Sequence, residues 1–120
     1  MAGITTQGLY VASAAMGGSV AYPTHIAVGT SGLAFAISQT ELGSEVERNQ
    51  IDTIDYSTTE QVTLIANWSP TDISGAIVRE VGVFNSGTGG AMSSRNVLAG
   101  SLVFDGESEL QIQQIYRFFL

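Results

Sequence analysis

Short strand patterns separated by turn residues recur along most of this chain, and no helical pattern lies between successive strands. The clearest strand is AIVREVGVF, which runs into the loop NSGTGG. Its side chains alternate between Ile77, Arg79, Val81 and Val83 on one face and Val78, Glu80, Gly82 and Phe84 on the other. Because glycine tolerates positive φ, the loop is typical of a hairpin connection. This segment therefore predicts a strand that turns directly into an antiparallel neighbour.

Other segments carry the same kind of signal. Further strands are predicted at Thr24 to Val28, from Val46 onwards, and at EQVTLIANW, AMSSRNVL, SLVF and ELQIQQIYRFFL, with turns at SPTDISG and DGES. Strands at intervals of about 8–12 residues indicate an antiparallel β-sandwich or a small barrel. At 120 residues the chain has the length of a single domain, which we predict to cover residues 1–120.

One short helix is predicted before the strands. In TTQGLYVASAAMGG a threonine can serve as N-cap, Leu9, Ala12 and Met16 recur at helical spacing, and a glycine pair supplies a stop. We therefore expect a mainly β protein with a helix at about 5–16 and a β-sandwich at about 23–120.

Composition excludes several classes of function. The chain has 11 Asp and Glu against 4 Arg, no lysine and a net charge of −7. Such a chain lacks the basic surface that binds nucleic acid or anionic lipid, so neither partner is expected. No apolar stretch is long enough to span a membrane, and no basic residue precedes the mildly apolar start, which argues against a secretory signal. The lysine-free acidity also suits a protein that works at high salt.

The segment PTHIAVGTSG raises the question of a phosphate site. Its glycines, Gly29 and Gly32, have a G-x-x-G spacing that matches neither the dinucleotide fingerprint nor the P-loop, and the chain has no lysine. The favoured interpretation is a strand that runs into a tight turn.

Catalytic and metal sites also have weak support. His25 is the only histidine and has no nucleophile motif beside it, so a structural role is favoured; one histidine per chain on a trimer axis is an alternative metal site. The acidic groups Glu41, Glu45, Glu47, Asp52 and Asp55 are expected on the surface rather than as a glycosidase pair. No catalytic residue, no cofactor and no enzymatic activity are predicted.

Several residues are candidates for contacts between subunits. Arg79 and Glu80 lie inside an otherwise apolar strand, where a charge is expected to face solvent or a partner chain, and a guanidinium suits an interchain ion pair. The apolar ending IYRFFL favours core or interface, because exposed aromatic ends promote aggregation. The candidate interface residues are Leu9, Met16, Arg79, Tyr116, Phe118 and Phe119.

Taken in order, these segments resemble a family of small structural proteins of tailed viruses that are often called tail-fibre-like. In that family an opening helix precedes a P-T-x-I-A-V/L-G-T-G segment, a T-x-L-x-x-E-V-x-R segment and an E-V/I-G-L/V-F-N strand before a glycine loop. The matching stretches here are Pro23 to Gly32, Thr40 to Arg48 and Glu80 to Asn85. The resemblance covers nearly the whole chain.

The resemblance implies a non-enzymatic virion component with a β-sandwich fold. Such a protein would be made in the host cytoplasm. It would work as a trimer or other cyclic oligomer among other virion proteins, in the tail, baseplate or fibre. The resemblance implies no catalytic residues. The acidity departs from many relatives and, with the family, implies a virus of a haloarchaeal host. The chain stops after its last strand without a receptor-binding head, which favours an adaptor or a decoration.

Two alternatives remain open. One is a capsid decoration or turret protein, which would use the same assembly physics. The other is a module that binds a host surface glycan through NSGTGG and SPTDISG. Against the second stands the single tryptophan, Trp68, since sugar sites usually use aromatic platforms.

Overall fold

The computed structural model describes residues 2–8, 22–55, 61–73 and 75–117, and this part of the chain is mainly β, as predicted. In chain order the strands are β1 (Ala2–Ile4), β2 (His25–Gly29), β3 (Glu45–Gln50), β4 (Thr53–Asp55), β5 (Gln61–Trp68), β6 (Ile77–Phe84), β7 (Met92–Val103) and β8 (Leu110–Arg117). They form a five-stranded sheet in the order β1-β7-β6-β2-β3 and a three-stranded sheet in the order β4-β5-β8. Every pairing is antiparallel.

The main core lies between the two sheets, which makes the fold a small β-sandwich. In β5 the alternation of the sequence places Leu64, Ala66 and Trp68 inward. They meet Ile26 and Val28 of β2 together with inward residues of β6 in one buried cluster. The sandwich follows from strands whose apolar residues recur with period two.

A second, smaller cluster covers the outer face of the five-stranded sheet. Ala27, Phe84 and Met92 lie on that face and Leu42 of the following loop packs over them, all at most 5% exposed. We call residues 30–44 the covering loop. Because of this loop, β6 is buried on both faces over its second half.

The alternation predicted for β6 is wrong at its start. The pairing with β7 shifts register between Val78 and Glu80, so Val78 joins Val81 and Val83 in the main core. A bulge of this kind inserts unpaired residues and changes the direction of the side chains that follow. β7 is likewise one long strand where two short strands were predicted.

The predicted turns are present. In NSGTGG the φ angles of Gly89 and Gly90 are 57° and 74°, and in DGES that of Gly106 is 81°. The backbone N–H groups of Glu107 and Ser108 donate to Asp105 Oδ1 and close the second turn.

The predicted N-terminal helix falls mostly outside the described residues. Only residues 5–8 of it are described; residues 6–8 are helical, and Thr5 precedes them and accepts a hydrogen bond from the Gly8 N–H at 2.9 Å. Across residues 2–8, 22–55, 61–73 and 75–117, no helix has the length and apolar character needed to cross a membrane.

Candidate functional site

A buried polar site surrounds the carboxylate of Glu80, a residue of β6 that is fully buried. Its Oε1 accepts hydrogen bonds from Arg95 Nε at 2.9 Å and from the Gly43 N–H at 2.8 Å. Its Oε2 accepts from the N–H groups of Ser31 at 3.1 Å and Ser44 at 2.8 Å. One carboxylate thus ties both ends of the covering loop to the sheet.

Arg95 of β7 completes this site. Its side chain is 0% exposed, and its Nη1 donates to the Leu33 carbonyl at 2.8 Å and to Gln39 Oε1 at 3.3 Å. Its Nη2 has no hydrogen-bond partner among the residues that the structure describes. Charge and hydrogen bonds together compensate most of the cost of burying the two ions.

Gly29, the first of the two glycines in the PTHIAVGTSG segment, contributes to the same site. A Cβ atom on Gly29 would lie 2.5 Å from Glu80 Oε2 and 2.5 Å from the Ser44 carbonyl oxygen. Glycine at this position therefore leaves room for the carboxylate. The N–H groups of Ser31, Gly43 and Ser44 form a concave set of donors of the kind that binds anions, and the protein's own Glu80 occupies it. The segment contains the predicted strand, β2, but the predicted tight turn is wrong, because β2 continues into the covering loop, whose backbone is held by Glu80.

Sequence reasoning missed this site. It expected a charge within the β6 strand to face solvent or a partner chain, whereas Glu80 pairs with Arg95 inside the protomer at 2.9 Å. The available signal was an acidic residue in the middle of a strand whose other residues, apart from Arg79, are apolar or glycine. Its partner lies on a neighbouring strand, and its identity depends on the β6–β7 register, which a single sequence does not provide.

A second polar feature is an open cleft of about 620 Å³ beside the covering loop. It is lined by Gln7, Thr40, Glu41, Glu45, Arg48, Phe84 and residues 87–90 of the NSGTGG loop. Among the described residues, Arg48 of β3 is the only positively charged one that lines it. The guanidinium lies 3.6 Å from the Phe84 ring centroid and pairs with both Glu45 carboxylate oxygens, at 2.7 and 2.9 Å.

Arg48 acts as a clamp in this cleft. Its Nη1 also donates to the carbonyl oxygens of Ser86 and Gly89, at 2.9 Å each, which holds the hairpin loop against β3. With its donors engaged, Arg48 offers little to an incoming anion. Phe84 is 1% exposed beneath it, so its ring offers no open platform to a sugar.

His25 lies at the start of β2 on the same face of the sheet. Its Nδ1 is 2.7 Å from Thr24 Oγ1. Burial and, second, the positive charge of Arg48 lower its pKa. A positive neighbour also disfavours a cation beside the ring. The axial metal site stays a prediction, and in the part of the chain that the structure describes no group of three His, Cys, Asp or Glu residues is placed to hold a metal ion.

The two loops of the glycan alternative lie apart. NSGTGG is bound by Arg48, whereas Asp72 of SPTDISG receives a hydrogen bond from Asn49 Nδ2 at 3.4 Å. Arg48 and Asn49 are consecutive in β3, so their side chains point to opposite faces of the sheet. The loops therefore do not line one common site.

The predicted interface residues are distributed as follows. Arg79 is exposed beside the covering loop, with Nη1 donating to the Thr30 carbonyl at 3.3 Å. Tyr116 packs against the main core and its hydroxyl lies 2.6 Å from Ser94 Oγ. Leu9, Met16, Phe118 and Phe119 lie outside the described residues. Interchain roles for all six stay predictions.

No protein-family model matches this sequence, and no curated protein matches it. The assignment of a function therefore rests on the residues and on the geometry above.

Proposed function

We propose that this protein is a non-enzymatic structural subunit of a tailed virus particle, which assembles as a symmetric oligomer in the tail, baseplate or fibre region. The observation that carries this proposal is the arrangement of the three segments that resemble tail-fibre-like proteins. Segment 23–32 contains β2, segment 40–48 includes the first four residues of β3, and segment 80–85 includes the last five residues of β6. These are adjacent strands in the order β6-β2-β3.

The charged residues of these segments support a scaffolding role. Glu80 binds the backbone of the covering loop, Arg48 binds the backbone of the hairpin loop, and Glu45 pairs with Arg48. Each of these side chains is engaged in holding the protein's own backbone or a neighbouring side chain. The motif residues therefore specify a folded unit, which is what a repeated building block requires.

Apolar surface supports assembly. The covering loop exposes Leu33 and Ile37, which are 62% and 63% accessible, and the end of β7 exposes Val103, at 66%. Apolar side chains left on the surface of a small acidic protein favour contacts with other chains. The acidic surface residues would stay hydrated in such an assembly.

The first test is the molar mass of the whole chain by light scattering, at molar salt and at low salt. A defined oligomer at molar salt supports the proposal, and its dissociation at low salt supports an origin in a virus of a halophilic host. A folded monomer at both salts overturns the assembly role. Removal of residues 118–120 should abolish oligomers. Glu107→Gln, which changes one exposed residue, is the control and should assemble like the wild-type chain.

The alternatives separate in two further measurements. Labelled protein that binds intact capsids but not isolated tails would identify a capsid decoration or turret protein. Binding to a glycan array in high salt by a protein that never self-associates would identify a glycan-binding module.

A further inference from the structure

The four edges of the two sheets differ in how they are protected. Edge strands β1 and β4 have 3 residues each. Edge strand β3 has 6 residues, contains Glu45, Glu47 and Arg48, and shifts register against β2. Short length, charge and irregularity are devices that prevent pairing with another chain. Three of the four edges are therefore poor templates for an added strand.

The fourth edge, β8, lacks these devices. It has 8 residues, pairs with β5 in an unbroken register, and contains neither proline nor a charged residue from Leu110 to Tyr116. Among the described residues no strand pairs with its other side. Every second residue of such a strand directs its N–H and C=O groups outward, where they can pair with another strand.

The sequence around β8 is complementary to itself. Glu109 precedes the strand, Arg117 ends it, and both are exposed. In an antiparallel pair of identical strands centred on Gln113, Glu109 of each copy lies opposite Arg117 of the other. This register also keeps the faces matched, because exposed Gln111 lies opposite exposed Ile115 while core-facing Leu110 lies opposite Tyr116.

We propose that β8 pairs with β8 of a second copy about a twofold axis at Gln113, which joins two three-stranded sheets into one continuous sheet. This inference deepens the proposed assembly role and rests on it. A twofold interface uses the same surface on both subunits, so one favourable contact occurs twice. The two Glu109–Arg117 pairs select this register over slipped ones, since a slip by two residues separates both pairs.

Charge reversal tests the ion pairs. In Glu109→Arg two arginines face each other at both ends of the interface, so the dissociation constant of the dimer should rise by about ten- to a hundredfold. Arg117→Glu should act alike, and the double exchange Glu109→Arg with Arg117→Glu should restore the wild-type value. Glu107→Arg makes the same charge change in the neighbouring turn and is the matched control. The measurement is sedimentation equilibrium over a salt series, with the variants compared at the lowest salt concentration at which the wild-type chain still forms the dimer, because surface charges are least screened there.

Disulfide cross-linking tests the register directly, because the chain has no cysteine of its own. Gln113→Cys places two thiols opposite each other, within the Cα separation of about 4.4–6.8 Å that a disulfide requires. Ile115→Cys is the control, since the two copies of residue 115 would lie about 14 Å apart along the strands. Ile115→Cys mixed with Gln111→Cys should form a mixed disulfide.

Cross-linked dimers of Gln113→Cys but not of Ile115→Cys, with rescue by the double charge exchange, support the pairing. If the wild-type chain forms oligomers and Gln113→Cys does not cross-link, the β8 pairing is overturned while the assembly role stands. If the wild-type chain is a folded monomer at every salt and protein concentration, both proposals fail.

Discussion

Replacement of Glu80 by glutamine removes the charge that the covering loop and Arg95 share. The amide keeps the size of the carboxylate, so packing changes little. One end of the amide can still accept two hydrogen bonds, but its NH2 end must face donors, either Arg95 and Gly43 or Ser31 and Ser44. The Arg95 guanidinium is then buried without its counter-charge.

The expected cost is large for a domain of this size. Breaking a buried ion pair by removal of one partner costs about 3–5 kcal/mol. The whole free energy of unfolding of such a domain is about 5–15 kcal/mol. With a urea m-value of about 2 kcal/mol per molar, the unfolding midpoint should fall by about 2 M. Arg95→Met should cost less, because the carboxylate keeps its three backbone donors, Ser31, Gly43 and Ser44.

Urea unfolding followed by circular dichroism measures these values at neutral pH. The matched control is Glu107→Gln, an exposed carboxylate whose replacement should change stability by less than about 0.5 kcal/mol. In the double variant the two costs should not add, with a coupling of about 1–3 kcal/mol. A Glu80→Gln midpoint equal to that of the control would refute the reasoning.

Three other changes have defined outcomes. Burial raises the pKa of Tyr116 to about 12. The free energy of unfolding is therefore unaffected below about pH 10 and decreases by up to about 3 kcal/mol as the pH rises through 12. Tyr116→Phe should remove this loss in urea unfolding at high pH. Gly29→Ala should cost about 2–3 kcal/mol because its Cβ meets the buried carboxylate, whereas Gly100→Ala, with no atom within 4 Å of the added Cβ, should cost little in the same assay. Arg48→Met should raise amide exchange in the hairpin loop about tenfold, and unchanged exchange there would contradict the clamp.

The β-sandwich could be predicted from the sequence because the strand and turn signals that define it are local. Alternation of apolar residues in β5 and the glycines of the hairpin loop each report a conformation that the segment prefers by itself. The antiparallel sandwich follows from such strands and short connections. The length of β7 was missed because its bulge depends on pairing with β6, which is a tertiary property.

The candidate site could not be predicted from the sequence because it depends on tertiary pairing. Glu80 and Arg95 meet only because two strands align in one register, and the donors of the covering loop come from residues 31, 43 and 44. The apolar run from Leu33 to Ile37 has no clear period in the sequence, and the structure leaves both of its ends exposed. For β8 the relevant information is that no strand among the described residues pairs with its outer side, which no local pattern reports.

The Glu80 carboxylate also implies an order of events during folding. Its partner Arg95 is close in sequence and lies in the same hairpin, whereas the loop donors Ser31 and Ser44 are 49 and 36 residues away. Closing the shorter loop costs less chain entropy. The β6–β7 hairpin, with its Glu80–Arg95 ion pair, should therefore form early. The covering loop should bind to this ion pair late. During brief openings of the native protein the same loop should leave first, as one cooperative unit, and expose the second cluster while the sandwich stays intact.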